Sequence, residues 1–216
     1  MARAQKSGAV PRKTGSSRRD PRERLLAIAC DLFAQRGYDA VSTGDIAKAA
    51  GLTQSMVHYY FGSKENIWEA AIENLMRDFG RRFPLDVKEL QDLDPLSRLK
   101  VLTRRFIRMS AGDPNFSRII IHENLSHSER LAWLVDRFVA RAFAEFDQLI
   151  GEGIEAGQIK DLPLFAASNT IISASAFTFC LGPMLQQVHG VDLQKPEVFE
   201  ALADSIIEIV FSGIAR

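Results

Sequence analysis

Residues 37–64 read GYDAVSTGDIAKAAGLTQSMVHYYFGSK, and this stretch decides the fold. Ser42-Thr43-Gly44-Asp45 is a helix start, because Ser42 and Asp45 can each accept a free amide at the first turn. Ile46, Ala47 and Ala50 mark the buried side of a short helix. Gly51 ends it and supplies the left-handed residue that a tight turn needs. Thr53 stands where a cap for the next helix, Gln54–Phe61, is expected. Two helical turns are marginal alone, so Met56 or Val57 together with Phe61 must pack against neighbours. Ser63 opens a further helix through Ile67, Trp68, Ala71, Ile72 and Leu75. Two short helices across a tight turn form a helix-turn-helix. Its second helix can present N-terminal residues to a DNA major groove while the first crosses the backbone.

Upstream, Asp20-Pro21-Arg22-Glu23 combines a capping aspartate with a proline suited to a first helical position. Leu25, Leu26, Ala29, Leu32 and Phe33 then recur at helical spacing until Gly37. Downstream, helices are expected near 95–111, 115–125, 128–156, 163–189 and 196–213. Pro84, Pro95, Pro114, Pro163 and Pro196 stand near their starts, and Gly112, Gly157, Gly190 and Gly213 near their ends. The sequence has neither a strand pattern nor a phosphate-cradling glycine loop. The expected fold class is all-α: an N-terminal three-helix unit containing the helix-turn-helix, followed by a larger helical domain.

The chain has 216 residues, 46% of them hydrophobic and 25% charged, which is ordinary for a globular protein. Its 27 Lys/Arg balance 27 Asp/Glu, which taken alone argues against a polyanion partner. The distribution reverses that reading. Residues 1–64 hold 11 basic and 5 acidic side chains, and the remainder holds 16 and 22. Residues 1–19, with Arg3, Lys6, Arg12, Lys13, Arg18, Arg19 and no acid, read as a flexible basic tail that can contact phosphates. The segment Leu162–Val191 lacks Asp, Glu, Lys and Arg and is long enough to cross a bilayer. Ser168, Asn169, Thr170, Ser173, Ser175 and Thr178 make it a poor span, so it is read as a helix buried on several sides. Two cysteines without a CxxC point to a reducing, cytoplasmic setting.

The motif resembles the tetracycline-repressor (TetR) family of transcriptional regulators. The resemblance rests on Phe33, Gly37-Tyr38, Ala40, Ser42, Asp45-Ile46-Ala47, Ala50-Gly51-Leu52-Thr53, Tyr59-Tyr60-Phe61 and Ser63-Lys64-Glu65. It covers about 50 residues. Two positions depart from the family pattern: Gly44, often basic there, and His58, often aromatic. The resemblance implies a DNA-binding domain at 20–66, a helical ligand-binding and dimerisation domain at 67–216, operator DNA as partner, and no cofactor. The residue chemistry assigns DNA contacts. Gln54 can pair with an adenine edge, Ser55 is small enough to sit beside a base, and His58 can reach a base or a phosphate. Thr43, Thr53, Tyr59, Tyr60 and Lys64 are placed to hold phosphates.

By the same resemblance the C-terminal domain binds a small effector and pairs with a second copy. Of 14 phenylalanines most lie beyond residue 100. The candidate pocket residues are Phe106, Met109, Phe116, Ile120, Trp133, Phe138, Phe143, Phe146, Phe177 and Phe179, which favour an apolar or aromatic effector. Core packing is the competing reading for any one of them. His122-Glu123-Asn124 and His127 form a polar island, with His122 a candidate ligand anchor; the spacing is not that of a metal site. Helices 163–189 and 196–213 are the expected dimer interface, through Ala174 and Phe177 on the first and Leu202, Ile206, Ile209 and Val210 on the second. An enzyme is disfavoured by the absence of GxSxG and HExxH motifs. The expected function is a homodimeric repressor that binds a palindromic operator and is released by its effector.

Overall fold

A computed structural model of the chain describes residues 20–82 and 90–216. The basic tail read in residues 1–19 and the helix start read at Pro84 lie outside the described residues. Eleven α-helices are described: α1 (Pro21–Arg36), α2 (Thr43–Ala50), α3 (Gln54–Phe61), α4 (Lys64–Arg82), α5 (Pro95–Gly112), α6 (Asn115–Ser126), α7 (Glu129–Leu134), α8 (Ala140–Glu155), α9 (Leu164–Ala176), α10 (Gly182–His189) and α11 (Pro196–Ile214). A π-helical turn, Val135–Val139, joins α7 to α8, and a 3-10 turn, Phe177–Leu181, joins α9 to α10. The described residues hold no strand beyond one isolated bridge between Ile159 and Ala215.

Local chemistry explains the first four helices. Asp20 accepts the Arg22 amide (3.1 Å). Ser42 and Asp45 form a reciprocal cap, Asp45 N donating to Ser42 Oγ (3.1 Å) and Ser42 N to Asp45 Oδ2 (2.9 Å). These bonds hold the Asp45 carboxyl below its usual range. Gly51 adopts φ 67°, as its turn requires. Ser63 Oγ caps α4 by accepting the Asn66 amide (3.1 Å). Thr53 departs from expectation: its hydroxyl is bonded to Ser55 Oγ (2.9 Å) and takes no backbone amide of α3.

Two hydrophobic cores result. The first gathers α1 to α4 around Leu25, Phe33, Ile46, Val57 and Trp68, and includes Ile119 of α6 and Leu134 of α7. The second joins α5, α8, α9 and α11 through Leu99, Ile107, Ile150, Ile171, Ala203 and Phe211. A boundary at 66/67 falls inside α4, whose Ile67, Trp68, Ala71, Ile72, Leu75 and Phe79 all belong to the first core. The expected helix at 128–156 is continuous but carries the π turn. One extra residue per turn resets its phase. Leu134 before the turn serves the first core, and Phe146, Leu149 and Ile150 after it serve the second. The long uncharged segment also runs helically from Leu164 to His189. Ala167, Ile171, Ile172 and Phe179 pack it into the second core.

Two glycines of α8 separate the terms in a glycine substitution. Gly151 has no atom near the position of an added Cβ, whereas a Cβ on Gly153 would lie 2.5 Å from Ile159 Cδ1 and 2.9 Å from Cγ1. Ile159 is fully buried and has no room to retreat. Gly151→Ala is expected to raise stability by up to about 1 kcal/mol through helix propensity. Gly153→Ala loses more to overpacking, about 1–3 kcal/mol, than the same propensity returns. Urea denaturation of both variants checks the difference in sign.

Candidate functional site

Helix α3 divides cleanly. Val57 and Phe61 are buried, while Gln54, Ser55, His58 and Tyr59 face solvent, Tyr59 with 85% of its surface exposed. Gln54 Nε2 donates to Thr43 Oγ1 (3.0 Å), which links the starts of α2 and α3. His58 Nδ1 lies 3.0 Å from the Gly62 carbonyl. A carbonyl only accepts, so Nδ1 carries the proton and the neutral ring keeps Nε2 as an outward acceptor. Tyr59 packs edge-on against Tyr60, which is half-buried on the first core. Because Thr53 is turned toward Ser55, the opening amides of α3 have no side-chain acceptor.

Lys64 is placed differently from an exposed phosphate ligand. Its Nζ rests 4.0 Å from the Tyr38 ring centroid. Partial burial lowers its ammonium pKa from the usual lysine value, with Asp39 opposing the shift. Tyr38 also stacks on Phe33 (5.7 Å), meets Trp68 edge-on (6.1 Å) and carries the Arg130 guanidinium at 3.7 Å. Arg130 Nε donates to Glu123 Oε2 (3.0 Å), and the Ser128 hydroxyl donates to the same oxygen. His127, at φ 48°, makes the reversal that brings Ser128 and Arg130 back onto Glu123. The polar island is therefore a joint: α6 and α7 grip the DNA-binding unit at Tyr38. His122 belongs to this joint. A Cβ on Gly37 would stand 3.1 Å from its Nδ1. Further along α6, Asn115 Nδ2 donates to Asp31 Oδ1 on α1 (2.7 Å).

A cavity of about 1120 Å³ lies between α4, α5, α6, the α7–α8 junction and α9. Its size is slightly above the usual range for small-molecule sites, about 300–1,000 Å³. Of the sequence-expected pocket residues, Phe106, Met109, Phe116, Ile120, Phe138, Phe143, Phe146 and Phe177 line it. Three do not. His122 points to Gly37. Trp133 is held between Trp68 (5.4 Å) and Phe138 (5.5 Å), and Phe179 packs on Phe199 in the second core. Sequence reading missed the α4 wall, Glu73, Met76, Arg77 and Gly80. Their i, i+3, i+4, i+7 spacing is a helical face and was the available signal. The π turn contributes Val135, Phe138 and Val139, so the irregular part of the long helix is part of the wall. The free thiols Cys30 and Cys180 line none of it, and burial raises both their pKa values, which keeps them protonated.

The expected interface stripe on α11 is split by the structure. Ile206 and Val210 are buried in the chain's own second core, Leu202 packs partly against it, and Ile209 is 72% exposed. The reason is pitch: 209 and 210 flank position 206 about 100° apart around the axis, so the core that covers 206 and 210 leaves 209 at the open edge. Ala174 is partly buried against the second core and Phe177 faces the cavity. Glu200 and Asp204 are turned to α5, where they pair with Arg104 and Arg108. The apolar surface left open on the two elements consists of Leu164, Phe165, Leu181, Met184, Val188 and Ile209.

A helix-turn-helix on a helical body that holds a large, partly open cavity defines a class of DNA-binding regulators. Residues 25–71 match the family of bacterial regulatory proteins known as the tetR family, and residues 95–210 match the tetracyclin repressor-like C-terminal domain. The chain belongs to the tetR family, and it is a DNA-binding transcriptional regulator rather than an enzyme. It is 25% identical over 191 residues to the fatty acid metabolism regulator protein of Bacillus subtilis, covering 88% of this chain and 93% of that one. Its fold resembles the ketosteroid transcriptional regulator KstR2 of Mycobacterium tuberculosis (TM-score 0.69, 22% identity, 91% of this chain, 96% of that one). It also resembles AibR, solved with isovaleryl coenzyme A and operator DNA (TM-score 0.69, 18% identity, 89% of this chain, 98% of that one).

The Glu123 side chain is 2% exposed and that of Arg130 19%, so removing the cation leaves a carboxylate in a nearly dry site. Arg130→Ala is expected to cost about 3–5 kcal/mol. Chemical denaturation measures it, and a loss below 1 kcal/mol would show that the joint carries no such load.

Proposed function

We propose that the chain is a cytoplasmic repressor that binds a palindromic operator as a homodimer and leaves it when a small apolar or aromatic effector fills the cavity. The observation that carries this reading is the double role of α6. Ile120 and Asn124 line the cavity, while on the same two turns His122 lies beside Gly37 and Glu123 fixes the Arg130 guanidinium that rests on Tyr38 of the DNA-binding unit. An occupant that displaces α6 therefore acts on the unit that carries α3. For repression to be relieved, the effector must prefer the arrangement that does not fit the operator. Relatives whose names include a fatty acid metabolism regulator and a regulator complexed with isovaleryl coenzyme A support an effector with an apolar part.

On DNA, Gln54 reads an adenine edge, either by releasing Thr43 or with Thr43 still attached, and Ser55 sits beside it. His58 Nε2 accepts from a base amino group in the groove. Thr43, Thr53, Tyr59, Tyr60 and Lys64 hold phosphates, and the uncapped amides at the start of α3 favour an anion. The second copy docks on α9, α10 and α11, with Ala174, Leu202 and Ile209 nearest the contact, and Phe177, expected there, turned instead to the cavity. Ile206 and Val210 support that face from beneath.

Fluorescence anisotropy with the duplex flanking this protein's own gene, against random duplex across a salt series, tests the reading. Preferential, salt-steep binding to one palindromic segment is expected. Equal binding to both duplexes would favour an architectural DNA binder. Gln54→Ala is expected to relax preference at one operator position by about 1–3 kcal/mol, whereas Tyr59→Ala weakens all duplexes alike. Ile209→Arg, at an exposed position, is expected to weaken self-association at least tenfold in sedimentation equilibrium with the helical content intact.

A further inference from the structure

We infer that the effector is an amphipath with an anionic head, and that Arg77, with Arg141, receives that head at one end of the cavity. This rests on the reading of the cavity as the effector site. The wall is not evenly apolar. Its charged residues are Glu73 and Arg77 on α4, Arg137 in the π turn, and Arg141 and Glu145 on α8. Glu73 and Arg137 join the two elements, with Oε1 and Nη2 2.5 Å apart. Arg77 lies one helical turn from Glu73 on α4, and Arg141 lies four residues beyond Arg137, so both border this bridge.

The cations outnumber the anions there, and the pairing identifies which are available. Glu73 is occupied by Arg137, which also lies 5.6 Å from the Trp133 ring. Glu145 is held by Arg141 Nε at 3.1 Å, but the Arg141 side chain is 84% exposed, and an exposed i, i+4 pair contributes only a few tenths of a kcal/mol. An incoming anion displaces it readily. Arg77 is exposed, and its neighbour Asp78 pairs instead with Arg81 (3.6 Å). Among the described residues no carboxylate pairs with Arg77. Arg105 also borders the cavity, from α5, and has a partner of its own.

Beyond this charged group the wall is mostly apolar, with Phe116, Phe138, Phe143, Phe146, Ile172 and Phe177, and only the small polar side chains Ser117, Asn124, Asn169 and Ser173 interrupt it. An apolar chain matches that part and an anion matches the arginines. A planar guanidinium binds a carboxylate or a phosphate through paired N–H donors, and either head serves the geometry. A neutral hydrocarbon leaves Arg77 unpaired, and a sugar or nucleotide places polar groups against aromatic walls.

Titration of the full-length protein with three fluorescent probes of one chain tests the inference: cis-parinaric acid, its methyl ester and its coenzyme A thioester. At least one anionic probe is expected to bind ten times tighter than the methyl ester, and which one does so separates a carboxylate head from a phosphate head. Arg77→Ala is expected to reduce that preference at least fivefold while leaving the affinity for the methyl ester unchanged, and Arg77→Lys to restore part of it. Equal affinity for all three probes overturns the anionic head but leaves the cavity as a binding site. An Arg77→Ala variant that keeps the full preference overturns the assignment to Arg77. Failure of every probe to bind overturns the amphipathic effector.

Discussion

The Arg130 guanidinium lies on the Tyr38 ring and bonds the buried Glu123 carboxylate, and the coupling of the two halves of the molecule depends on this contact. A buried carboxylate without its cation is costly, and an arginine away from its aromatic face loses a favourable contact. Each member therefore restrains the others. Tyr38 sits in the loop between α1 and α2, Glu123 on α6 and Arg130 on α7. The contact fixes where the regulatory helices meet the DNA-binding unit. Phe33, Trp68 and Trp133 extend it as a continuous aromatic layer into the first core. The DNA-binding unit is thus seated on α6 and α7 rather than joined to the rest only through α4.

Lys64 illustrates the consequence for electrostatics. Its ammonium shares the Tyr38 ring with Arg130 and is partly stripped of water. A desolvated cation at the edge of a DNA-binding unit gains more from a phosphate than a fully hydrated one would, because less hydration is lost on contact. The neutral whole-chain charge conceals this arrangement. The acidic excess lies after residue 64, where every base–acid pair such as Arg104–Asp204 or Arg108–Glu200 leaves that excess unchanged.

What the sequence disclosed was local. The Ser42–Asp45 cap, the left-handed Gly51 and the bounds of α3 at Gln54 and Phe61 follow from residues within one turn of each other, and they stand where expected. The tetR family signature lies in the same short stretch. What it concealed was tertiary. His122 reads as a polar anchor beside an apolar run, and Trp133 as one of a dense set of aromatics. Only the packing of α6 and α7 on Gly37 and Trp68 turns them away. Ile206, Ile209 and Val210 read as one apolar stripe, and the position of α5 and α9 decides which of them face inward. The π turn left no sequence mark, since one extra residue in a helix is invisible to a 3.6-residue period.

Helix α9 and its continuation have two faces with different duties. Asn169, Ile172, Ser173, Ala176 and Phe177 form cavity wall, and Phe165, Leu181, Met184 and Val188 stand open on the outside. A change of side-chain volume on one face shifts the axis and so reaches the other, because the helix is packed and not free to absorb it. Evolution thus has unequal freedom around the cavity. Variation on α9 changes the cavity wall and the open outer face together, whereas variation at the exposed rim of α4 and α8 changes the wall alone. Divergence among descendants of this chain should accumulate first at that rim, leaving the shared helix as the conservative wall of the chamber.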